Sequence, residues 1–168
     1  MRALIPALLL LPLPALAGGT AGLAPGAWAW QGSARHAVLP TLGLWATHSA
    51  RPWSLTVELA GSHRNRGART YRYRTSHLRA STVASLALGT HATTFHAGLG
   101  PALSVQTGSL RYGGERLPVG SIQAGVRVRM ALDGPVAGRL GWSWHVATTS
   151  RGWSGVDYDT SVGLGVAW

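Results

Sequence analysis

Apolar and polar positions alternate along the last twelve residues of the chain, DYDTSVGLGVAW. Even-numbered positions from Tyr158 to Trp168 are apolar or amphipathic, whereas odd-numbered positions from Asp157 to Ala167 are polar or small. A period of two places successive side chains on opposite faces of an extended strand. The pattern therefore predicts a β-strand over 157–168 with two unlike faces.

Seven earlier segments show the same alternation, which predicts an all-β chain with eight strands. Strand six is the clearest, because Ile122, Val126 and Val128 share one face while Arg127 and Arg129 share the other. Strands two and four are less regular, since Leu39, Trp45 and Val83 fall on their polar faces, and strand one is short. The predicted strands are 26–32, 36–47, 53–62, 77–88, 93–105, 120–132, 135–148 and 157–168.

Two kinds of connection separate these strands. Short turn signals occur at 49–52, 89–92 and 133–135, and longer polar stretches occur at 32–35, 63–74, 107–118 and 149–156. Because the short and long connections alternate, they predict an up-and-down series of antiparallel hairpins with all its long loops at one end.

The composition points away from an ordinary cytosolic domain. All fifteen basic residues are Arg, against five acids, and there are eight Trp and no Cys. The chain thus has neither disulfides nor thiolate metal sites, while Arg and Trp together suit a boundary between lipid and water.

Residues 1–17 predict a cleaved secretory signal, since Arg2 precedes an apolar run and Ala15–Leu16–Ala17 forms a small-x-small site. The prolines of this run disfavour a helical anchor, which leaves 18–168 as one domain.

The placement of charge distinguishes a membrane barrel from a soluble sandwich. On a lipid-facing surface each mid-membrane Arg would cost roughly 2–4 kcal/mol, so the charged face must point inward. An eight-stranded barrel is just wide enough for its own side chains, and small residues provide the room. We therefore predict an eight-stranded antiparallel up-and-down transmembrane β-barrel with a filled lumen. A narrow ion path and a soluble β-sandwich that binds a ligand remain as alternatives. The predicted lumen charges are Glu58, Arg79, Arg127, Arg129, Arg139, Asp157 and Asp159.

The C-terminal strand resembles the assembly signal of bacterial outer-membrane β-barrels. In that family a polar residue and a Gly precede hydrophobic positions that end on an aromatic, and Ser161, Gly163, Val166 and Trp168 have those spacings. The resemblance to the small eight-stranded members implies insertion by the barrel-assembly machinery and both termini in the periplasm. It also implies an envelope structural or surface-interaction protein that acts through its rim and loops.

The second long connection, HRNRGARTYRYR, is rich in arginine and has no acid. One interpretation is a solvated basic loop. The other is contact with phosphates of outer-leaflet lipopolysaccharide, which suit the geometry of the guanidinium group. For an exported chain, nucleic acid is a poor explanation of this charge. The candidate anionic-lipid contacts are Arg64, Arg66, Arg69, Arg72 and Arg74.

Three residues near the C-terminus raise the alternative of a hydrolase. A hairpin of predicted strands seven and eight, centred near Gly152, would place His145 opposite Asp159 and Ser143 opposite Ser161, and such groups can support nucleophilic catalysis. The small outer-membrane lipid A deacylases are similar in size and also carry a catalytic His on the penultimate strand. In that family a catalytic Ser follows the His at the position that is Ala147 here. A lumen hydrogen-bond pair that stiffens the barrel is therefore the favoured interpretation.

Metal and cofactor chemistry has no support in the sequence. The remaining histidines lack the spacing of metal ligands, and no phosphate-binding loop, acidic dyad or Cys site occurs. We therefore expect neither a metal nor a cofactor.

Overall fold

Eight strands close into a single barrel in the computed structural model of the chain. The structure describes residues 18–32, 35–67, 71–90, 92–150 and 155–168, so the predicted signal segment 1–17 lies outside the described residues. Each strand pairs antiparallel with its chain neighbours, and β1 pairs with β8. In these ranges no helix is long and apolar enough to cross a membrane. The strands are β1 Gly19–Gly32, β2 Arg35–Ala50, β3 Trp53–Gly67, β4 Tyr71–Gly89, β5 Thr94–Tyr112, β6 Glu115–Ala137, β7 Leu140–Ser150 and β8 Val156–Ala167.

The closed ring confirms the predicted fold class and shows that the alternative of a β-sandwich is wrong, because one continuous sheet surrounds one interior. Several strands are longer than predicted. β1 begins at Gly19 rather than at residue 26, which gives it 14 residues and meets the ~9–11 that a spanning strand needs. The long polar stretches at 63–74 and 107–118 form paired hairpins rather than loops, with Gly67 opposite Arg72 and Tyr112 opposite Glu115.

The predicted turn at 133–135 is wrong. β6 continues through Asp133 to Ala137, and its pairing with β7 shifts register between Pro135 and Ala137. This irregularity accommodates the proline, which cannot donate to a regular ladder. The chain turns instead at Gly138, whose φ of +56° favours glycine. Consequently Val136 belongs to β6 rather than to strand seven, and Arg139 is exposed in the turn instead of facing the lumen.

The assignment of the two barrel faces is confirmed by burial. Neighbouring residues on β6 differ sharply, since Arg127 is 0% exposed and Val128 is 50% exposed. The outward apolar positions of β6 run from Ile122 to Leu132, and these ten residue steps span about 25 Å for a strand tilted by about 40°. That height matches the apolar band of known membrane barrels. We call this outward apolar surface the belt.

Side chains fill the lumen. The three residues that broke the predicted alternation, Leu39, Trp45 and Val83, are buried there, so the irregularity reflects packing inside a closed ring. Trp28 also points inward, with its ring edge-on to the His77 ring at 5.5 Å between centroids. Two of the cavities in the described lumen measure about 20 Å³ each, and each has room for roughly one water molecule.

Glycine lets neighbouring strands approach closely at β5. A methyl group added to Gly98 or Gly100 would meet the backbone oxygen of Ala84 or of Thr82 on β4. A side chain at either position would force the two strands apart. The small residues on the inward face therefore provide the room that the predicted narrow barrel requires.

Four strands continue beyond the belt at one end of the barrel. Here β3 (63–67), β4 (71–76), β5 (107–112) and β6 (115–120) form a paired four-stranded sheet, which we call the extension. At the opposite end the chain makes short connections at 51–52, 90–93 and 138–139. The strands run up and down as predicted, but the predicted difference in loop length is wrong between β5 and β6, which are joined by Gly113 and Gly114 alone. The third turn at the opposite end also lies further along the chain than predicted.

Candidate functional site

The centre of the lumen holds a network of buried ion pairs. Arg127 donates through Nε to Glu58 Oε2 at 2.7 Å, and through its two terminal nitrogens to Asp159 at 2.7 and 2.8 Å. Arg129 Nε donates to Glu58 Oε1 at 2.6 Å, and Arg79 pairs with Asp159 at 2.8 Å. All five side chains are at most 6% exposed. Paired charges of this kind can tie four strands together across a lumen that side chains fill.

The candidate residues for hydrolysis lie in the same lumen, but the predicted pairing is wrong by two residues. His145 lies opposite Ser161, not Asp159, and Ser143 lies opposite Gly163. Ser161 Oγ is 3.1 Å from His145 Nδ1, and His145 Nε2 is 3.5 Å from Asp159 Oδ1. The cluster is buried among side chains, and its adjoining cavity of about 20 Å³ is too small for a lipid substrate. Its geometry is that of a hydrogen-bonded lumen group.

A second buried chain of polar groups lies near the short connections. Ser54 Oγ is 2.8 Å from His96 Nδ1, and His96 Nε2 is 2.9 Å from Asp133 Oδ1. These residues belong to β3, β5 and β6, so no local pattern indicates the group, although the alternation along strands three and five places Ser54 and His96 on their polar faces. Ser54 and His96 are at most 5% exposed. Among the described residues no group of His, Asp or Glu has the arrangement of a metal site.

The residues of the predicted assembly signal lie on the last strand and its end. Ser161 and Gly163 face the lumen, and Val166 is exposed on the belt. The Trp168 backbone nitrogen donates to Gly19 O at 3.0 Å, at the seam where β8 meets β1. This backbone hydrogen bond helps to join β8 to β1, the two strands that close the ring.

The arginines of the second long connection divide between the two faces of the extension. In the register of β3 and β4, Arg64 pairs with the inward Thr75 and Arg66 with Tyr73 on the same side. Arg72 and Arg74 alternate with these positions and are exposed on the outward side, in line with the belt. The described members of the predicted set therefore do not lie on one face of the sheet, and Arg69 lies outside the described residues.

Two further arginines join the outward side from the next hairpin. Arg72 lies directly opposite Arg111, and Arg111 lies directly opposite Arg116, so three adjacent strands carry a row of arginines in register. Arg74 stands one pleat closer to the belt, opposite Ser109. We call these four residues the arginine row. They surround an open hollow of about 330 Å³, together with Ser109 and Gly114.

The sequence contained the elements of this row but not their association. The alternation places Arg72 and Arg74 on one side of β4, and Arg111 and Arg116 lie in the next long polar stretch. Both stretches were predicted as loops, and a loop has no strand register from which the association of these arginines could be predicted. A strand assignment that continued the alternation through 63–74 and 107–118 could have found the row.

The inward side of the extension is different in character. Tyr73, Leu110 and Leu117 form a row across β4, β5 and β6, and Tyr112 lies one pleat further out. Gln106 Nε2 donates to Tyr73 Oη at 3.0 Å. On β4, β5 and β6 the extension therefore carries arginines on the outward side, in line with the belt, and mainly aromatic and aliphatic groups on the inward side above the barrel mouth, where β3 adds Arg64 and Arg66.

No protein-family model and no curated protein sequence matches the chain, whereas several solved structures share its fold. Ail, the attachment invasion locus protein of Yersinia pestis, is 6% identical, with a TM-score of 0.71 over 90% of this chain and 99% of that chain. OprG from Pseudomonas aeruginosa is 11% identical, with a TM-score of 0.63 over 90% and 96%. Neisserial surface protein A is 14% identical, with a TM-score of 0.62 over 89% and 95%. The chain thus has the fold of small eight-stranded outer-membrane β-barrels.

Proposed function

We propose that this chain, which has the fold of outer-membrane barrels, is an integral outer-membrane protein whose arginine row binds phosphates of the surrounding lipopolysaccharide. The extension then points to the cell surface, and the short connections and both termini lie in the periplasm. One observation carries the proposal, namely that the exposed arginines continue the lipid-facing side of β4 directly above the belt. The protein would stabilise the envelope by holding the lipid around it.

The height of the arginines above the belt agrees with this role. On β4 the belt ends at Leu78, which is 48% exposed, and the next outward residues are Ser76, Arg74 and Arg72. Arg74 lies four residues and Arg72 six residues from Leu78, which corresponds to about 10 and about 15 Å of height above the belt for a tilted strand. Headgroups add about 5–8 Å to each side of a bilayer, and a long Arg side chain can extend down to that layer. Lipid phosphates are therefore the nearest anions.

A solved structure supports the interpretation by analogy. Ail has been crystallised in complex with the heparin analogue sucrose octasulfate. That complex concerns another protein, only 6% identical to this chain, and it supplies a precedent for anion binding on a barrel of this shape. The assignment of an anion site here rests on the position of Arg72 and Arg74.

Binding of lipopolysaccharide by two matched variants tests the proposal. Arg72→Gln/Arg74→Gln removes two outward charges, and Arg64→Gln/Arg66→Gln removes two inward charges from the same hairpin. In neutral phosphatidylcholine nanodiscs at low salt, we expect the outward variant to bind purified lipopolysaccharide about 30-fold more weakly, at about 1 kcal/mol for each Arg. The difference should shrink as salt screens the charges, and the inward variant should bind like the wild type. Equal losses in both variants would refute the role of the outward face.

The orientation has its own test because the chain has no cysteine. Tyr112→Cys places a thiol on the extension, and Arg139→Cys places one in the turn at the opposite end. A membrane-impermeant maleimide added to intact cells should label the first variant and leave the second unlabelled until the cells are lysed. The reverse pattern would mean that the extension faces the periplasm.

A further inference from the structure

Three of the four arginines in the row face one another as direct cross-strand neighbours. Arg111 lies opposite Arg72 on one side and opposite Arg116 on the other. Like charges directly opposite in a sheet are destabilising, and strands lie about 4.8 Å apart. The row therefore concentrates three positive charges within about 10 Å, and Arg74 adds a fourth one pleat below.

No described acid compensates these charges on the same side of the extension. The nearest carboxylate in sequence is Glu115, but it lies opposite Tyr112, on the inward side, one residue from Arg116. Arg72 and Arg111 are exposed, and the hollow that they help to form is open to solvent with a volume of about 330 Å³. The row thus has both the space and the uncompensated charge for an anionic ligand.

The spacing indicates the kind of anion. A single phosphate can accept a bidentate contact from one guanidinium and reach a second, but it leaves most of the row unpaired. An anion with several phosphoryl groups spread over about 10 Å can pair with Arg72, Arg111 and Arg116 together, and each contact after the first is intramolecular. The row therefore suits a polyphosphorylated ligand better than an isolated phosphate.

We infer that Arg72, Arg74, Arg111 and Arg116 form a single site for an anion with several closely spaced phosphoryl groups, either on a lipid headgroup or on a free polyphosphate. This inference rests on the proposed function, since it names the ligand class of the same face. Binding also relieves the repulsion between the strands. Occupancy of the site should consequently order the β4–β5–β6 part of the extension.

Calorimetric titration at pH 7.5 and constant ionic strength tests the ligand class. The full-length mature protein in phosphatidylcholine nanodiscs is titrated with inorganic phosphate, pyrophosphate and tripolyphosphate. We expect tripolyphosphate to bind at least 10-fold more tightly than phosphate, with pyrophosphate between them. Arg111→Gln, at the middle of the row, should weaken tripolyphosphate binding about 10-fold and phosphate binding much less. Arg66→Gln, on the inward side, is the matched control and should change neither.

Hydrogen exchange of the backbone amides in 107–112 gives a second readout. The difference in exchange rate between Arg111→Gln and the wild type should change sign when the anion binds. Without an anion, Arg111→Gln removes repulsion and should slow exchange relative to the wild type. With saturating tripolyphosphate the order should reverse, because the wild type gains more contacts. Tripolyphosphate that binds no more tightly than phosphate, or an Arg66→Gln effect as large as that of Arg111→Gln, would overturn the inference.

Lipopolysaccharide vesicles separate this inference from the proposed function. If the Arg72→Gln/Arg74→Gln variant loses lipopolysaccharide binding while tripolyphosphate shows no preference over phosphate, the proposed function stands and the multivalent site fails. If the tripolyphosphate preference holds while lipopolysaccharide binding is unaffected in the variant, the multivalent site stands with a free polyphosphate as its ligand. In that case the proposed function fails.

Discussion

Glu58→Gln should destabilise the barrel strongly, because Glu58 lies between two buried arginines. Its two oxygens accept hydrogen bonds from Arg127 at 2.7 Å and from Arg129 at 2.6 Å. The network of three arginines, Glu58 and Asp159 has a formal charge of 3 − 2 = +1, counting the ion-paired side chains. The substitution raises this charge to +2 among side chains that are at most 6% exposed.

The magnitude follows from the contacts that are lost. Glutamine keeps one acceptor oxygen, so one of the two arginine contacts can survive in weaker form, while the other arginine loses its carboxylate. Removing one partner of a buried pair costs about 3–5 kcal/mol, and we expect a loss in that range. Adding Arg129→Gln restores the charge to +1. The double variant should therefore be less destabilised than the sum of the two single variants, by about 1–3 kcal/mol.

Urea unfolding in lipid vesicles measures this prediction. The eight tryptophans provide the fluorescence signal, and heat-modifiable migration in detergent reports the fraction of closed barrel. The wild type, Glu58→Gln, Arg129→Gln and the double variant form a thermodynamic cycle. A cost below about 0.5 kcal/mol for Glu58→Gln, or strict additivity in the cycle, would refute the reasoning, since neither fits a buried charge network.

Three further changes test other parts of the barrel. Deleting Trp168, which hydrogen-bonds Gly19 across the seam, should lower the amount of heat-modifiable protein in the outer membrane while export continues; an unchanged amount would contradict the assembly role. Val128→Arg puts a charge on the belt and should cost roughly 2–4 kcal/mol of unfolding free energy, whereas no loss would mean that the faces are misassigned. Gly100→Ala should cost about 1–3 kcal/mol through a clash with β4, whereas Gly43→Ala, where the added methyl has ordinary contacts, should cost less.

The alternation of apolar and polar positions along the strands predicted most of the fold. In a barrel of this class the apolar face must point outward, so the alternation alone decides which side chains enter the lumen. On β6 the pattern from Ile122 to Leu132 was enough to place Arg127 and Arg129 in the lumen. The position of the third turn was not predictable in the same way. Gly134 and Pro135 form a strong turn signal in isolation, but a bulge absorbs them and the chain turns at Gly138.

Cross-strand partners were harder to predict than faces. A shift of two residues in the β7–β8 hairpin keeps every side chain on its predicted face. The alternation alone therefore could not distinguish Asp159 from Ser161 as the cross-strand neighbour of His145. The arginine row depends on two such registers at once. Its members Arg72, Arg111 and Arg116 come from three strands, and no local pattern states that they are neighbours.

The filled interior also bears on how much of this protein a cell can carry. An open channel adds leakage with every copy, so its abundance has to be balanced against the entry of harmful solutes. In this barrel bulky side chains such as Trp45 pack in the described lumen, and two of its cavities measure about 20 Å³ each. A lumen filled in this way predicts little added leakage from each additional copy. On that basis we expect insertion capacity and membrane area, rather than leakage, to limit the abundance of the protein.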